Sequence, residues 1–158
     1  MPFDIEQTES LLSYLRTSGR IGPSEQANIR VLGGGLSNRT VLVERASSEA
    51  WVVKQPLRRL RVPIEWYSSP ERIHREALGL IWLEQLAPAG TITPLVFEDE
   101  PQHLLAMRAV RKPHDDWKTQ LLEGRVDLRY VGQFGTILGT LQRNSSQRRA
   151  ELPAQFND

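Results

Sequence analysis

Apolar residues change their period along this chain, and each change marks an element. Ile5, Leu11, Leu12 and Leu15 recur at helical spacing, which predicts a helix over residues 4–17 that Gly19 stops. Gly22-Pro23 marks a turn. Three short runs follow, at residues 28–32, 40–44 and 50–55. Gly33-Gly34-Gly35 separates the first two, a Ser/Ala-rich turn separates the next two, and Pro56 stops the third. Tight turns between strand-like runs predict an antiparallel meander. An irregular basic stretch leads to Ser68-Ser69-Pro70-Glu71. Serine cap, proline at the first helical position and an acid in the first turn predict a helix start there. That helix runs to about Leu86, and Pro88 and Gly90 close it. Residues 93–98 and 103–109 read as two more strands joined by a polar turn. Helices are expected over residues 117–122 and from Asp127 to about Arg143, and residues 144–158 are polar and expected to be loosely ordered.

The pattern predicts a two-layer α+β domain: a five-stranded antiparallel sheet, one packed helix, an N-terminal helix in front and a C-terminal helical extension. Two charges break it. Lys54 ends the apolar run Trp51-Val52-Val53, and Glu76 shares a helix face with Ile73, Leu80 and Leu83. A charge inside an apolar element is costly unless it is paired, so each supplies a reason for the other. An edge-strand lysine in water, and Glu71 or Glu84 as the carboxylate, stay open at this point. Period-two alternation puts Val52 on the face of Lys54, where Val52, Leu32 and Val41 are expected to roof a planar ligand.

About twenty residues before Lys54 lies the glycine turn. Gly33, Gly34 and Gly35 would let backbone N–H groups approach phosphate oxygens without side-chain clashes, and Ser37 and Asn38 would add hydrogen bonds. Three glycines can also be an ordinary flexible hairpin. Glycine turn, strand lysine and helix glutamate, in that order, are the parts of a kinase ATP-binding lobe. Leu104–Val110 would then be the hinge, with backbone groups near Met107 to Ala109 reading the adenine edge; a plain buried strand fits the same residues.

Composition narrows the classes. The chain has 158 residues, enough for one domain with a moderate core. A net charge of +1 argues against general nucleic-acid binding. With no cysteine there is no disulfide, thiolate metal site or thiol nucleophile, and His74, His103 and His114 lack metal-ligand spacing. No apolar run approaches the roughly 20 residues of a membrane helix, and the acidic N-terminus Met1-Pro2-Phe3-Asp4-Ile5-Glu6 does not read as a signal peptide, so a cytoplasmic protein without membrane attachment is expected. The basic Arg58, Arg59 and Arg61 are expected to form a solvated loop, Trp66 and Tyr67 to pack on the helix, and His74 to be a surface or satisfied residue.

The wording of these motifs resembles a known group. Leu32-Gly33-Gly34-Gly35-Leu36-Ser37-Asn38, Val52-Val53-Lys54-Gln55, Arg75-Glu76-Ala77 and Met107-Arg108 resemble the N-terminal lobe of the aminoglycoside phosphotransferase/choline kinase-like superfamily. Val53-Lys54-Gln55-Pro56-Leu57-Arg58-Arg59-Leu60-Arg61, Glu65-Trp66, Pro70-Glu71-Arg72 and Pro113-His114 are most similar to the methylthioribose kinase sub-family. The resemblance covers roughly residues 29–141. It implies a protein-kinase-like small lobe in which Lys54 holds the ATP phosphates, Glu76 orients Lys54, and Met107 to Ala109 hold adenine. It implies transfer of the γ-phosphoryl group of ATP, with Mg²⁺, to a hydroxyl of a small substrate, and a possible homodimer. It divides the chain into an N-terminal helix and turn (1–27), an ATP-binding lobe with hinge (28–110) and the start of a helical C-lobe (111–158). The His-x-Asp catalytic loop and metal-binding aspartate of that group have no counterpart; Asp115-Asp116 falls too early. The metal ligands are expected in a C-lobe outside this sequence, and the 158 residues alone are expected to be inactive. Leu128, Val131, Phe134, Leu138 and Leu141 form an apolar stripe with Gly135 and Gly139 beside it, which a partner would cover if the chain were instead a non-catalytic binding or assembly module.

Overall fold

The computed structural model describes residues 3–156. Met1, Pro2, Asn157 and Asp158, which belong to the N-terminal and C-terminal readings above, lie outside the described residues. The fold is α+β, with a five-stranded antiparallel sheet and several helices. Helix α1 (Thr8–Thr17) precedes β1 (Ala27–Val31), β2 (Asn38–Arg45) and β3 (Ala50–Pro56). Then come α2 (Arg72–Leu86), β4 (Leu95–Asp99), β5 (Leu104–Arg108), α3 (Trp117–Leu122) and α4 (Leu128–Gln147). No helix among the described residues is long and apolar enough to cross a membrane.

The strand order is β1-β2-β3-β5-β4. β3 is therefore central, with Lys54 opposite Thr40 on one side and Leu105 on the other. Alternation along β3 divides the sheet into two faces. Trp51 and Val53 are buried with Val41, Val43, Leu104 and Ala106 against Leu11 and Leu15 of α1. Trp51 meets Phe97 edge-on, with ring centroids 5.9 Å apart. Among the described residues Gln55 is the one buried polar residue, and it is satisfied at both ends: its amide donates to Phe3 O at 2.9 Å and its carbonyl accepts from Ile5 N at 3.3 Å. Val52 and Lys54 point to the opposite face.

The chain forms two compact units. One takes the chain as far as Leu78 together with Pro94–Ala109, and the other takes Gly79–Thr93 and the chain from Val110 onward. α2 passes from the first into the second. In the second unit α4 outlasts its expected end near Arg143 and runs to Gln147, and two single-turn 3₁₀ helices (Arg149–Glu151, Ala154–Phe156) replace the expected loose tail. Asn144 looks like a helix stop in sequence. Its amide instead donates to Leu86 O at 2.7 Å, capping the open C-terminal end of α2, while Arg148 stacks 5.2 Å from the Trp82 ring. α1 starts later than expected, because Asp4–Gln7 form a turn closed by Gln7 N–H to Asp4 O.

Candidate functional site

The face opposite α1 carries the candidate site. Lys54 Nζ lies 2.5 Å from Glu76 Oε1, and both side chains are partly shielded, at 25% and 35% exposure. The lysine is not on an edge strand, and Glu71 and Glu84 are exposed. Glu76 reaches Lys54 because α2 buries Ile73 and Ala77 and leaves Glu76 on the flank of that stripe. The stripe is rotated from the expected one: Leu83 is exposed, and Ala77 takes the central place assigned to Leu80 and Leu83. An ion pair this exposed contributes on the order of 1 kcal/mol or less. What it supplies is orientation, an ammonium held at one place on a rigid central strand.

The apolar neighbours of Lys54 follow from register. Val52 pairs with Leu42 and Met107, and Lys54 with Thr40 and Leu105. Leu32 N–H donates to Thr40 O at 2.8 Å, which places Leu32 beside that row. Val41 does not belong there. It pairs with Val53 and is fully buried on the α1 face, because a one-residue step reverses the side of a strand. Leu42 holds the position expected of Val41. At the end of β5, Met107 shares the face of Lys54. The N–H groups of Arg108 and Ala109 are already committed, to Pro94 O at 3.0 Å and Ala50 O at 2.8 Å, so the Ala109 N–H is not available to read a ligand edge.

The glycine turn has a definite shape. Gly34 has φ +86°, and a Cβ on Gly35 would stand 2.6 Å from Asn38 O, so neither position takes another residue without strain. Gly33 meets no such limit. The carbonyls of Leu36 and Ser37 point back into the protein and accept from Arg61 N and Leu57 N, each at 2.8 Å. Gly33 and Gly34 form a tight turn that brings Gly35 N–H back toward Leu32 O, while the N–H groups of Gly33, Gly34, Leu36 and Ser37 make no backbone hydrogen bond among the described residues. Carbonyls turned inward and amides left over make a surface suited to an anion.

Two features here were not foreseen. Arg72, in the first turn of α2, hydrogen-bonds Ser37 O, Asn38 Oδ1, Leu57 O and Ser69 O. A cation at a helix N-terminus opposes the helix dipole, and that was the available sequence signal that Arg72 has partners elsewhere. His74 Nδ1 contacts the Glu98 carboxylate, and His74 Nε2 lies 3.0 Å from His103 Nδ1. Trp66 and Tyr67, expected to pack on the helix, are exposed, and Arg61 pairs with Glu6 at 2.7 Å.

Two grooves lie elsewhere. One of about 520 Å³ is lined by Arg58, Tyr67, Ser68, Ser69 and His103, and one of about 600 Å³ in the second unit by His114, Trp117, Tyr130 and Phe134. Neither includes Lys54 or the glycine turn. His114-Asp115-Asp116 is the one His-x-Asp triplet in the chain, and its aspartates serve α3. Asp116 caps Lys118 N at 3.1 Å and accepts from Thr119 Oγ1 at 2.9 Å, and Asp115 accepts from Gln120 Nε2 at 3.0 Å. Among the described residues no group of three or more His, Asp or Glu side chains could hold a metal ion. No protein-family model matches the chain, and no curated protein matches it.

Proposed function

We propose that the sheet unit is the ATP-binding lobe of a small-molecule kinase of the aminoglycoside phosphotransferase/choline kinase-like type, similar to methylthioribose kinases. The observation that carries this reading is the Lys54–Glu76 pair at 2.5 Å on the central strand, together with the open amides of the glycine turn between β1 and β2. In this reading Glu76 aims the Lys54 ammonium at the α/β-phosphates, and the glycine-turn amides, with Ser37 and Asn38, take the outer phosphate oxygens. Leu32, Leu42, Val52 and Met107 offer an apolar wall to adenine. ATP, when bound, supplies the γ-phosphoryl group for a hydroxyl of a small acceptor. Mg²⁺ would accompany it, but the described residues provide no ligand set for the metal, so no step is assigned to it.

The test is ATP affinity of Lys54→Ala, read by calorimetry beside a thermal melt. A large loss of affinity with an intact melt is expected, because the ion pair adds little to stability. Unchanged affinity would sink the reading. It would favour the second one, a non-catalytic docking module, whose support is the exposed stripe of Leu128, Val131, Phe134 and Leu138 along α4.

A further inference from the structure

Arg72 is a cation without a carboxylate of its own. Every acceptor its guanidinium reaches is neutral: Ser37 O, Asn38 Oδ1, Leu57 O at 3.3 Å and Ser69 O at 2.9 Å. Glu76, one helical turn on, is engaged by Lys54. Burial lowers the Arg72 pKa and the charge of Glu76 opposes that shift, while the direct hydrogen bonds that hold the guanidinium all go to neutral acceptors. A lysine would have one nitrogen to offer where this site uses two, on segments that converge from β2, β3 and the start of α2.

The position of these acceptors matters more than their number. Ser37 O and Asn38 Oδ1 belong to the descending limb of the glycine turn, and Leu57 O follows the strand that carries Lys54. Holding the carbonyls on that limb fixes which way the turn's N–H groups face. The same helix, through Glu76, fixes the Lys54 ammonium. We propose that Arg72 is a positioning residue that locks the glycine turn to α2 and thereby gives the site its preference for phosphate-bearing ligands. This inference rests on the nucleotide-binding reading above.

The experiment compares ATP with adenosine, on the intact protein and on Arg72→Ala and Arg72→Lys, by calorimetry. The intact protein is expected to bind ATP more tightly than adenosine. Arg72→Ala should lower ATP affinity about tenfold or more, as misplacing a preorganised group does, and leave adenosine within about twofold. Arg72→Lys should behave like Arg72→Ala, because charge alone does not span the acceptors. Hydrogen exchange of the Gly33–Asn38 amides should quicken in both variants. Equal losses for ATP and adenosine would reduce Arg72 to a structural residue and overturn the proposal, and so would an Arg72→Lys protein that matches the parent. If Arg72→Ala does not fold, Arg72→Gln keeps the stem and is held to the same comparison. A parent protein that binds adenosine and ATP equally, with Lys54→Ala still weakening both, would overturn the role of Arg72 while leaving the nucleotide reading standing. A parent that binds neither would overturn both.

Discussion

The two faces of the sheet are built from the same strands and spend their residues differently. Toward α1, Val41, Val43, Trp51, Val53, Leu104 and Ala106 form a dry layer with Leu11 and Leu15. Toward α2, one residue along each strand, stand Thr40, Leu42, Val52, Lys54, Leu105 and Met107. The first face makes the fold; the second is held up by it and can carry charge. Lys54 is tolerable on β3 because its neighbours Val53 and Gln55 face the other way. Stability and ligand binding should therefore separate by face when residues are replaced.

The sharpest break is on the α1 face. Leu15 is fully buried, and Leu15→Ala should cost about 2–5 kcal/mol, through lost transfer free energy and the cavity left behind. Urea unfolding measures it; under the proposed nucleotide-binding reading, ATP affinity measured without denaturant should be unchanged. A smaller effect is expected at the rim of the same face. Tyr14 donates to Asp99 Oδ2 at 2.5 Å, and burial followed by that carboxylate raises its pKa to about 12. The unfolded phenol ionises near 10, so the neutral phenol favours the folded state below that pH. Its contribution is lost as pH rises from about 10 to about 12. Tyr14→Phe should flatten that part of the stability–pH curve, and should cost about 1 kcal/mol at pH 7 for the lost hydrogen bond. On the opposite face, Lys54→Met should change stability by about 1 kcal/mol or less, of either sign, since the pair it breaks is partly solvated. A cost above about 3 kcal/mol would mean that Lys54 is part of the core and that the two-face division is wrong.

Much of the first unit was legible because its strands are short, alternate cleanly and are punctuated by glycine and proline. Each of the five strands and four α-helices among the described residues overlaps an expected segment, although α1 starts later and α4 ends later than expected, and residues 117–122 agree at both ends. The Lys54–Glu76 pairing was legible from cost alone, since a charge in an apolar run must find a partner. Register was not. Whether Val41 or Leu42 faces with Lys54 turns on a single residue, and only the Lys54–Thr40 pairing settles it. The hydrogen-bond load at Ala109 was equally hidden, because an N–H looks the same in sequence whether it is free or paired. The contacts of Arg72 with Ser37 and Asn38 and the Glu98–His74–His103 chain were missed for a further reason: they join residues 24 to 35 positions apart, and no local period encodes such a contact.

The smallest effect lies outside the sheet and tests whether the contrast extends to the second unit. α4 presents Leu128 at 79% and Phe134 at 52% exposure, and no residue of α4 is buried. Its apolar stripe has the spacing of a core helix but not the burial of one. Burial, not spacing, sets the free energy of an apolar residue. Leu128→Gln should therefore shift the unfolding free energy by no more than about 0.5 kcal/mol, the range of an ordinary surface substitution. Asp127, beside it, should matter more: its carboxylate accepts from Arg129 N at 2.8 Å as the cap of α4, and Asp127→Ala should cost about 1 kcal/mol. Urea unfolding of the two variants side by side ranks them. A Leu128→Gln cost above that of Asp127→Ala would mean that the stripe is covered in solution, and that α4 belongs with the buried α1 face rather than in contrast to it.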